Sequence, residues 1–160
     1  MTEIENFLDK DTCVYLINLF EKKENGFIFS KRVVKNLKHF EKDPVINKLT
    51  LKYKSLRPLE TLKNFELVWW PIGEHHPWHI DNGYKDDSYN YDTTSITFLN
   101  EGYEGGRTSI KNDLIIGDYT IEPRTGKHII FSSWIPHKAS TLLSGRRYVL
   151  IAWYKKYNNL

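Results

Sequence analysis

The chain has a single cysteine among 160 residues, Cys13, so it forms no disulfide within itself. That absence fits a reducing compartment. Long apolar runs are missing too, none approaching the roughly 20 residues that a membrane-spanning helix needs. The start, Met1-Thr2-Glu3-Ile4-Glu5-Asn6, lacks the basic opening and apolar centre of a signal peptide. The expected location is therefore the cytoplasm, in soluble form. Nor does one sign of charge prevail: 23 Lys and Arg face 20 Asp and Glu, a net +3, with the lysines scattered among acids. No basic stripe for a phosphate backbone results, so no nucleic-acid partner is expected, while small acidic ligands remain open. Repeats, low-complexity tracts and interdomain linkers are absent, and the length suits one domain.

What the chain has in quantity is aromatic residues, at 14% of a 40% hydrophobic composition, with five Trp and ten Tyr. Such a chain is globular and strand-rich, and at this size it buries roughly two-thirds of its unfolded surface.

Helices come first. Asp9 or Asp11 caps a helix whose stripe is Cys13, Ile17 and Phe20, and Glu24-Asn25-Gly26 ends it. Between Phe27 and Phe40 both periods fit: Phe27 and Phe29 alternate as in a strand, while Val33, Val34, Leu37 and Phe40 also suit a helix. Asp43-Pro44 caps a further helix through Ile46, Leu49 and Tyr53, ending at Leu56-Arg57-Pro58. After Pro58 come eight short β-prone runs, approximately 65–70, 78–81, 94–99, 107–110, 119–122, 128–131, 137–142 and 146–154. The turns between them include Pro71-Ile72-Gly73, Glu104-Gly105-Gly106 and Ser144-Gly145. The expected fold is α+β, mainly β: a helical part over about 1–60, then a double-sheet jelly roll over about 64–154.

Chemistry concentrates in Glu74-His75-His76-Pro77-Trp78-His79-Ile80-Asp81-Asn82-Gly83. On an extended chain His79 and Asp81 point to one side, so an imidazole and a carboxylate converge. A His-x-Asp pair alone is a common accident. His137, delivered after Trp134-Ile135-Pro136, would complete a two-His, one-carboxylate face of the kind that leaves three positions of a non-haem Fe(II) open. Ten residues on, Arg146 and Arg147 head the apolar run Tyr148-Val149-Leu150-Ile151-Ala152-Trp153-Tyr154. Neighbours on a strand face opposite ways, so at most one arginine enters the interior, where it would need an anion, and an arginine that does not enter is solvated.

With these motifs, together with Phe98-Leu99-Asn100 and Glu104-Gly105-Gly106-Arg107-Thr108, the chain from Ile4 to Tyr154 resembles the iron- and 2-oxoglutarate-dependent dioxygenases of the prolyl 4-hydroxylase-like branch. The resemblance implies a double-stranded β-helix with N-terminal flanking helices, and Fe(II) on His79, Asp81 and His137. It also implies 2-oxoglutarate chelating the metal, with its far carboxylate on Arg147. The implied cofactors are Fe(II), 2-oxoglutarate and O2, with ascorbate as an optional addition. Two departures touch the co-substrate pocket. Thr97 stands where a longer hydroxyl-bearing residue, often Tyr, helps hold the far carboxylate, and Trp70 stands where Tyr commonly precedes the proline. Retention of Asp81 favours hydroxylation over halogenation. The implied activity is hydroxylation of a C–H bond, on a peptidyl proline, another residue or a small molecule.

Two rival readings are a cupin-like metal jelly roll without 2-oxoglutarate and a silent interaction domain. A buried Arg147 argues against the first and the intact triad against the second. His75 and His76 are expected to be solvated or to sit behind the ligands, since Pro77 prevents a zinc-binding helix pairing His75 with His79. His39 and His128 are expected to be structural. The segment 82–93 is either a lid over the substrate or a plain surface loop.

Overall fold

A computed structural model describes residues 1–22, 27–29, 32–83, 90–111 and 117–157. Helix α1 (Lys10–Glu21) starts where the Asp9 carboxylate accepts the Thr12 N–H at 2.7 Å, and it buries Cys13, Leu16 and Phe20. The stop read at Glu24-Asn25-Gly26 lies outside the described residues. Helix α2 (Pro44–Leu56) has Pro44 in its first turn, and Asp43 takes the N–H groups of Val45 and Ile46 at 2.9 and 3.1 Å. It buries Ile46, Leu49 and Tyr53. The segment of mixed periodicity divides: strands β2 (Phe27–Phe29) and β3 (Arg32–Asn36) form an antiparallel pair, and a 3-10 turn covers Leu37–Phe40. Asn36 caps that turn through the Lys38 N–H at 3.0 Å.

The remaining strands are β1 (Thr2–Ile4), β4 (Glu60–Trp70), β5 (His76–His79), β6 (Thr93–Phe98), β7 (Glu104–Gly105), β8 (Thr108–Lys111), β9 (Asp118–Thr120), β10 (His128–Ser132), β11 (His137–Ala139), β12 (Leu142–Ser144) and β13 (Arg147–Lys156). A large antiparallel sheet runs β1-β10-β6-β13-β4-β3-β2, a smaller one β5-β11-β8-β9, and β12 pairs with β7. The run expected over 137–142 thus divides between two sheets, because Leu142 leaves the β11 register to pair with Gly105.

Alternation sorts the large sheet's side chains to two faces. Phe65, Leu67, Tyr148, Leu150, Ala152 and Tyr154 meet both helices in one apolar cluster. Val34, Val68, Trp70, Ile96, Phe98 and Val149 meet Ile110, Ile121, Ala139 and Leu142 in a second. Leu67, Leu150 and Val149 are wholly excluded from solvent, which stabilises by about 1.5–3 kcal/mol per side chain. Closely packed on the helical side, the large sheet forms the floor of the site. Between it and the smaller sheet lies a cavity of about 410 Å³, lined by residues of β3, β4, β6 and β13 on one wall and of β5, β8 and β11 on the other. The described residues are mainly β with two α-helices, and among them no helix is long and apolar enough to cross a membrane.

Candidate functional site

His79 on β5 and His137 on β11 are direct cross-strand partners, their rings 4.1 Å apart between centroids. Asp81 follows β5, and the Ser133 carbonyl accepts the N–H groups of Asp81 and Asn82 at 2.9 and 3.2 Å, tying that turn to the approach of β11. The Asp81 carboxylate then lies 3.5 Å from both Nε2 atoms, Oδ1 toward His79 and Oδ2 toward His137. One ligand atom from each of the three falls within 4.8 Å of the others.

The two imidazoles are oriented from behind. His79 Nδ1–H donates to the Pro77 carbonyl at 2.8 Å and His137 Nδ1–H to that of Ile135 at 3.0 Å. With Nδ1 carrying the hydrogen, the lone pair sits on Nε2, facing the carboxylate, as a metal ligand requires. Burial lowers the His137 pKa, Asp81 opposing, so the ring is neutral and ready to ligate. Burial opposes ionisation of Asp81, but hydrogen bonding to His79, the proximity of His137 and the Thr94 hydroxyl together hold its carboxyl at about 2. Two imidazole nitrogens and one carboxylate oxygen converging from one side are the donor set that suits a non-haem ferrous ion.

The far end of the cavity is built for an anion. Arg147 is 2% exposed, and its Nη2 donates to the Thr108 hydroxyl at 3.1 Å. Among the described residues its Nε and Nη1 have no hydrogen-bond partner, and no carboxylate is among the groups that shift its pKa. The Trp70 indole N–H and the Tyr103 hydroxyl are buried nearby and likewise unsatisfied, with the guanidinium carbon 4.6 Å from the Trp70 ring centroid. Burial lowers the pKa of Arg147 and raises that of Tyr103, each group opposing the shift of the other. Unsatisfied buried donors cost about 1–3 kcal/mol each, so this cluster is suited to a carboxylate that accepts from them. Arg146 points the other way, exposed, and pairs with Glu21 at 3.0 Å.

Thr97 does not belong to this cluster. On β6 the even positions Thr94 and Ile96 line the cavity, which turns Thr97 to the helical face, where its hydroxyl bonds Tyr53 and, at 2.6 Å, His128 Nδ1. A hydroxyl that does reach the guanidinium is that of Thr108, on the facing sheet. Trp70 does line the cavity. His75 is exposed, whereas His76 packs on His79 with ring centroids 3.7 Å apart and lies 3.4 Å from Arg32 Nη1. Burial pushes His76 down to about 3. Of the segment read as lid or loop, 84–89 lies outside the described residues.

Trp153, Thr94, Arg32 and Glu66 are among the cavity groups that went unread in the sequence. Trp153 Nε1 and Thr94 Oγ1 both donate to Asp81 Oδ2, at 2.9 and 2.7 Å, while Arg32 and Glu66 stand on the outer wall. Period two along β13 places Trp153 on the face of Arg147, a signal that was available.

Comparison with known proteins agrees with this geometry. The family profile of the 2OG-Fe(II) oxygenase superfamily matches residues 66–155, which include all three converging residues and Arg147. A PKHD-type hydroxylase of Synechococcus sp. strain CC9605 is 33% identical over 89 residues, which amount to 53% of this chain and 38% of that protein. The match thus spans well under half of that relative's length. Among solved structures, a prolyl hydroxylase from Trichoplax adhaerens, in complex with a hypoxia inducible factor peptide fragment, superposes with a TM-score of 0.79 at 18% identity, covering 97% of this chain and 83% of that one. A prolyl-4-hydroxylase from Pseudomonas putida gives 0.72 at 19%, covering 98% and 92%. These two likenesses speak to the fold. With more than half of its length matched by the profile, the chain belongs to the 2OG-Fe(II) oxygenase superfamily.

Proposed function

We propose that this protein is an Fe(II)- and 2-oxoglutarate-dependent hydroxylase, a single domain built on a double-stranded β-helix, with a peptidyl proline as its first candidate substrate. His79, Asp81 and His137 hold the metal; Arg147, with Thr108 and the neighbouring indole of Trp70, receives the far carboxylate of 2-oxoglutarate. The observation that carries this reading is the pairing, in one cavity, of a two-His, one-carboxylate cluster with a buried arginine that has no carboxylate of its own among the described residues. A metal site alone would equally suit a cupin-like protein. The unpaired cation calls for an anionic co-substrate.

Fe(II) with 2-oxoglutarate supplies the oxidation when bound: O2 is consumed, 2-oxoglutarate leaves as succinate and carbon dioxide, and one oxygen atom enters a substrate C–H bond. The chain's own groups set the conditions. Backbone carbonyls fix both imidazole tautomers, Thr94 and Trp153 hold one carboxylate oxygen, and apolar Val34, Val68, Ile96 and Ile151 line the cavity. The peptidyl-proline assignment is supported by the prolyl hydroxylases of like fold and by the hydroxylase relative.

The test is succinate-coupled screening of proline-containing peptides and free amino acids, with product mass as the second readout. A gain of one oxygen on a peptide, lost in Asp81→Ala, is the expected result. Turnover that persists in Asp81→Ala rejects the metal assignment, and hydroxylation confined to free amino acids rejects the peptide.

A further inference from the structure

The cavity is electrically polar along its length. The cavity-facing side of β4 runs Trp70, Val68, Glu66, Asn64, and beside it β13 runs Arg147, Val149, Ile151, Trp153, with Trp70 opposite Arg147, Glu66 opposite Ile151 and Asn64 opposite Trp153. Glu66 is therefore four strand positions from the arginine, roughly 13 Å at the usual rise per residue. One end presents a buried cation, the other an acid.

Glu66 does not belong to the metal cluster. Its Oε1 accepts the Asn64 side-chain N–H at 2.7 Å, and Arg32 is the cation whose charge it feels. Arg32 shares the wall but is engaged elsewhere, 3.4 Å from His76 and 4.8 Å from the Trp70 ring centroid. Burial raises the Glu66 pKa, with Asn64 and Arg32 opposing, so the acid is only partly compensated from within. Beside it stands Trp153, whose ring stacks on Tyr91 at 5.7 Å and whose N–H reaches Asp81. Trp153 is thus a diagonal neighbour of Glu66 on the sheet face and a hydrogen-bond donor to Asp81. Arg147, with its unsatisfied donors, is the cavity's anion site, so a dicarboxylate co-substrate settles there and leaves the Glu66 end to the molecule being hydroxylated. A desolvated carboxylate flanked by an aromatic face is a receptor for a positively charged nitrogen.

We infer that Glu66, flanked by Asn64 and Trp153, receives a protonated amine of the substrate, so that the molecule hydroxylated here carries an ammonium group close to its target carbon. This rests on the hydroxylase reading of the cavity and narrows its substrate class. Two sources present that chemistry: a lysyl side chain beside the target residue, or a free α-amine.

The experiment uses the whole chain loaded with Zn(II), which supports no turnover, and with 2-oxoglutarate, and measures binding by calorimetry and NMR. The probes are matched pairs: n-butylamine against 1-butanol, a proline peptide with a free against an acetylated N-terminus, and a lysine-flanked proline peptide against its Nε-acetylated form. At neutral pH n-butylamine is expected to bind at least tenfold tighter than 1-butanol, and Glu66→Gln is expected to abolish that preference. Glu66→Gln keeps the shape and leaves Zn(II)-dependent binding of 2-oxoglutarate unchanged. Whichever peptide pair discriminates identifies the source of the amine. No preference for n-butylamine in the native chain, or the same preference in Glu66→Gln, overturns the inference. Loss of 2-oxoglutarate binding by the native chain would instead overturn the hydroxylase reading beneath it.

Discussion

The indole N–H of Trp153 donates to Oδ2 of Asp81 at 2.9 Å, joining the last strand of the large sheet to the carboxylate beside the smaller sheet. Thr94 donates to the same oxygen at 2.7 Å from the next strand. Two donors from the floor of the site thus set the rotamer of a side chain that sits in a turn, and with it the oxygen offered to a metal. Groups behind a ligand of this kind are worth about 10- to 100-fold in metal affinity. Trp153→Phe keeps the aromatic packing and removes the N–H. Zn(II) titration is expected to show a loss of roughly tenfold, with a similar loss for Thr94→Val, while unchanged affinity in both variants would contradict the role.

Arg146 and Arg147 are adjacent and separable. Replacing Arg147 by Ala removes a hydrogen-bonding cation, each such bond contributing about 1.5–3 kcal/mol, and should weaken 2-oxoglutarate binding by at least roughly tenfold. Arg146 is exposed and pairs with Glu21, so its replacement by Ala should change that binding by no more than about twofold. Equal effects in a calorimetric titration would defeat the assignment.

Gly106 has φ +58°, and a Cβ there would lie 3.0 Å from Cδ of Arg147 and 3.1 Å from Cδ1 of Leu142. Gly106→Ala pays about 1–2 kcal/mol for the left-handed backbone and pushes on the guanidinium stem. A lower melting temperature together with weaker 2-oxoglutarate binding is expected. A melting change alone would mean that the arginine adjusts without loss.

His128 supplies a pH signature of the fold. It is fully buried, with Thr97 on Nδ1, Phe7 and Tyr53 against its ring and Lys52 as the nearby charge, and burial pushes it down to about 3. The folded pKa is below the unfolded one, so between the two the unfolded chain binds more protons. Stability is complete above the unfolded value of about 6.5 and is lost as pH falls toward the folded one, at up to about 1.4 kcal/mol per pH unit. Urea midpoints between pH 7 and 4 should fall less steeply in His128→Phe than in the native chain; parallel slopes would exclude His128 as a source.

Much of this architecture was legible because its signals are local. Asp9 and Asp43-Pro44 announce helix starts, and the turn residues after Pro58 bound eight runs, seven of which overlap one strand each while the run over 137–142 divides into two. The site was legible in part: His79, Asp81, His137 and Arg147 all face one cavity. What failed depended on register. Thr97 is one position out of phase, and a slip of one residue moves a side chain to the opposite face. Glu66 and Arg32 come from separate strands and share a wall only through the pairing of β3 with β4, which no short window encodes. Strand β1 is three residues long, too short for its alternation to register, and exists because β10 offers it an edge.

The central claim is that these residues hold Fe(II) and 2-oxoglutarate together, and the most direct measurement is the absorption spectrum of the anaerobic Fe(II)-loaded protein as 2-oxoglutarate is added. Chelation of the ferrous ion is expected to produce a visible charge-transfer band that saturates at one equivalent, is lost in Asp81→Ala, and needs much higher 2-oxoglutarate in Arg147→Ala. A native protein that binds Fe(II) but gives no band at any 2-oxoglutarate concentration would contradict the account.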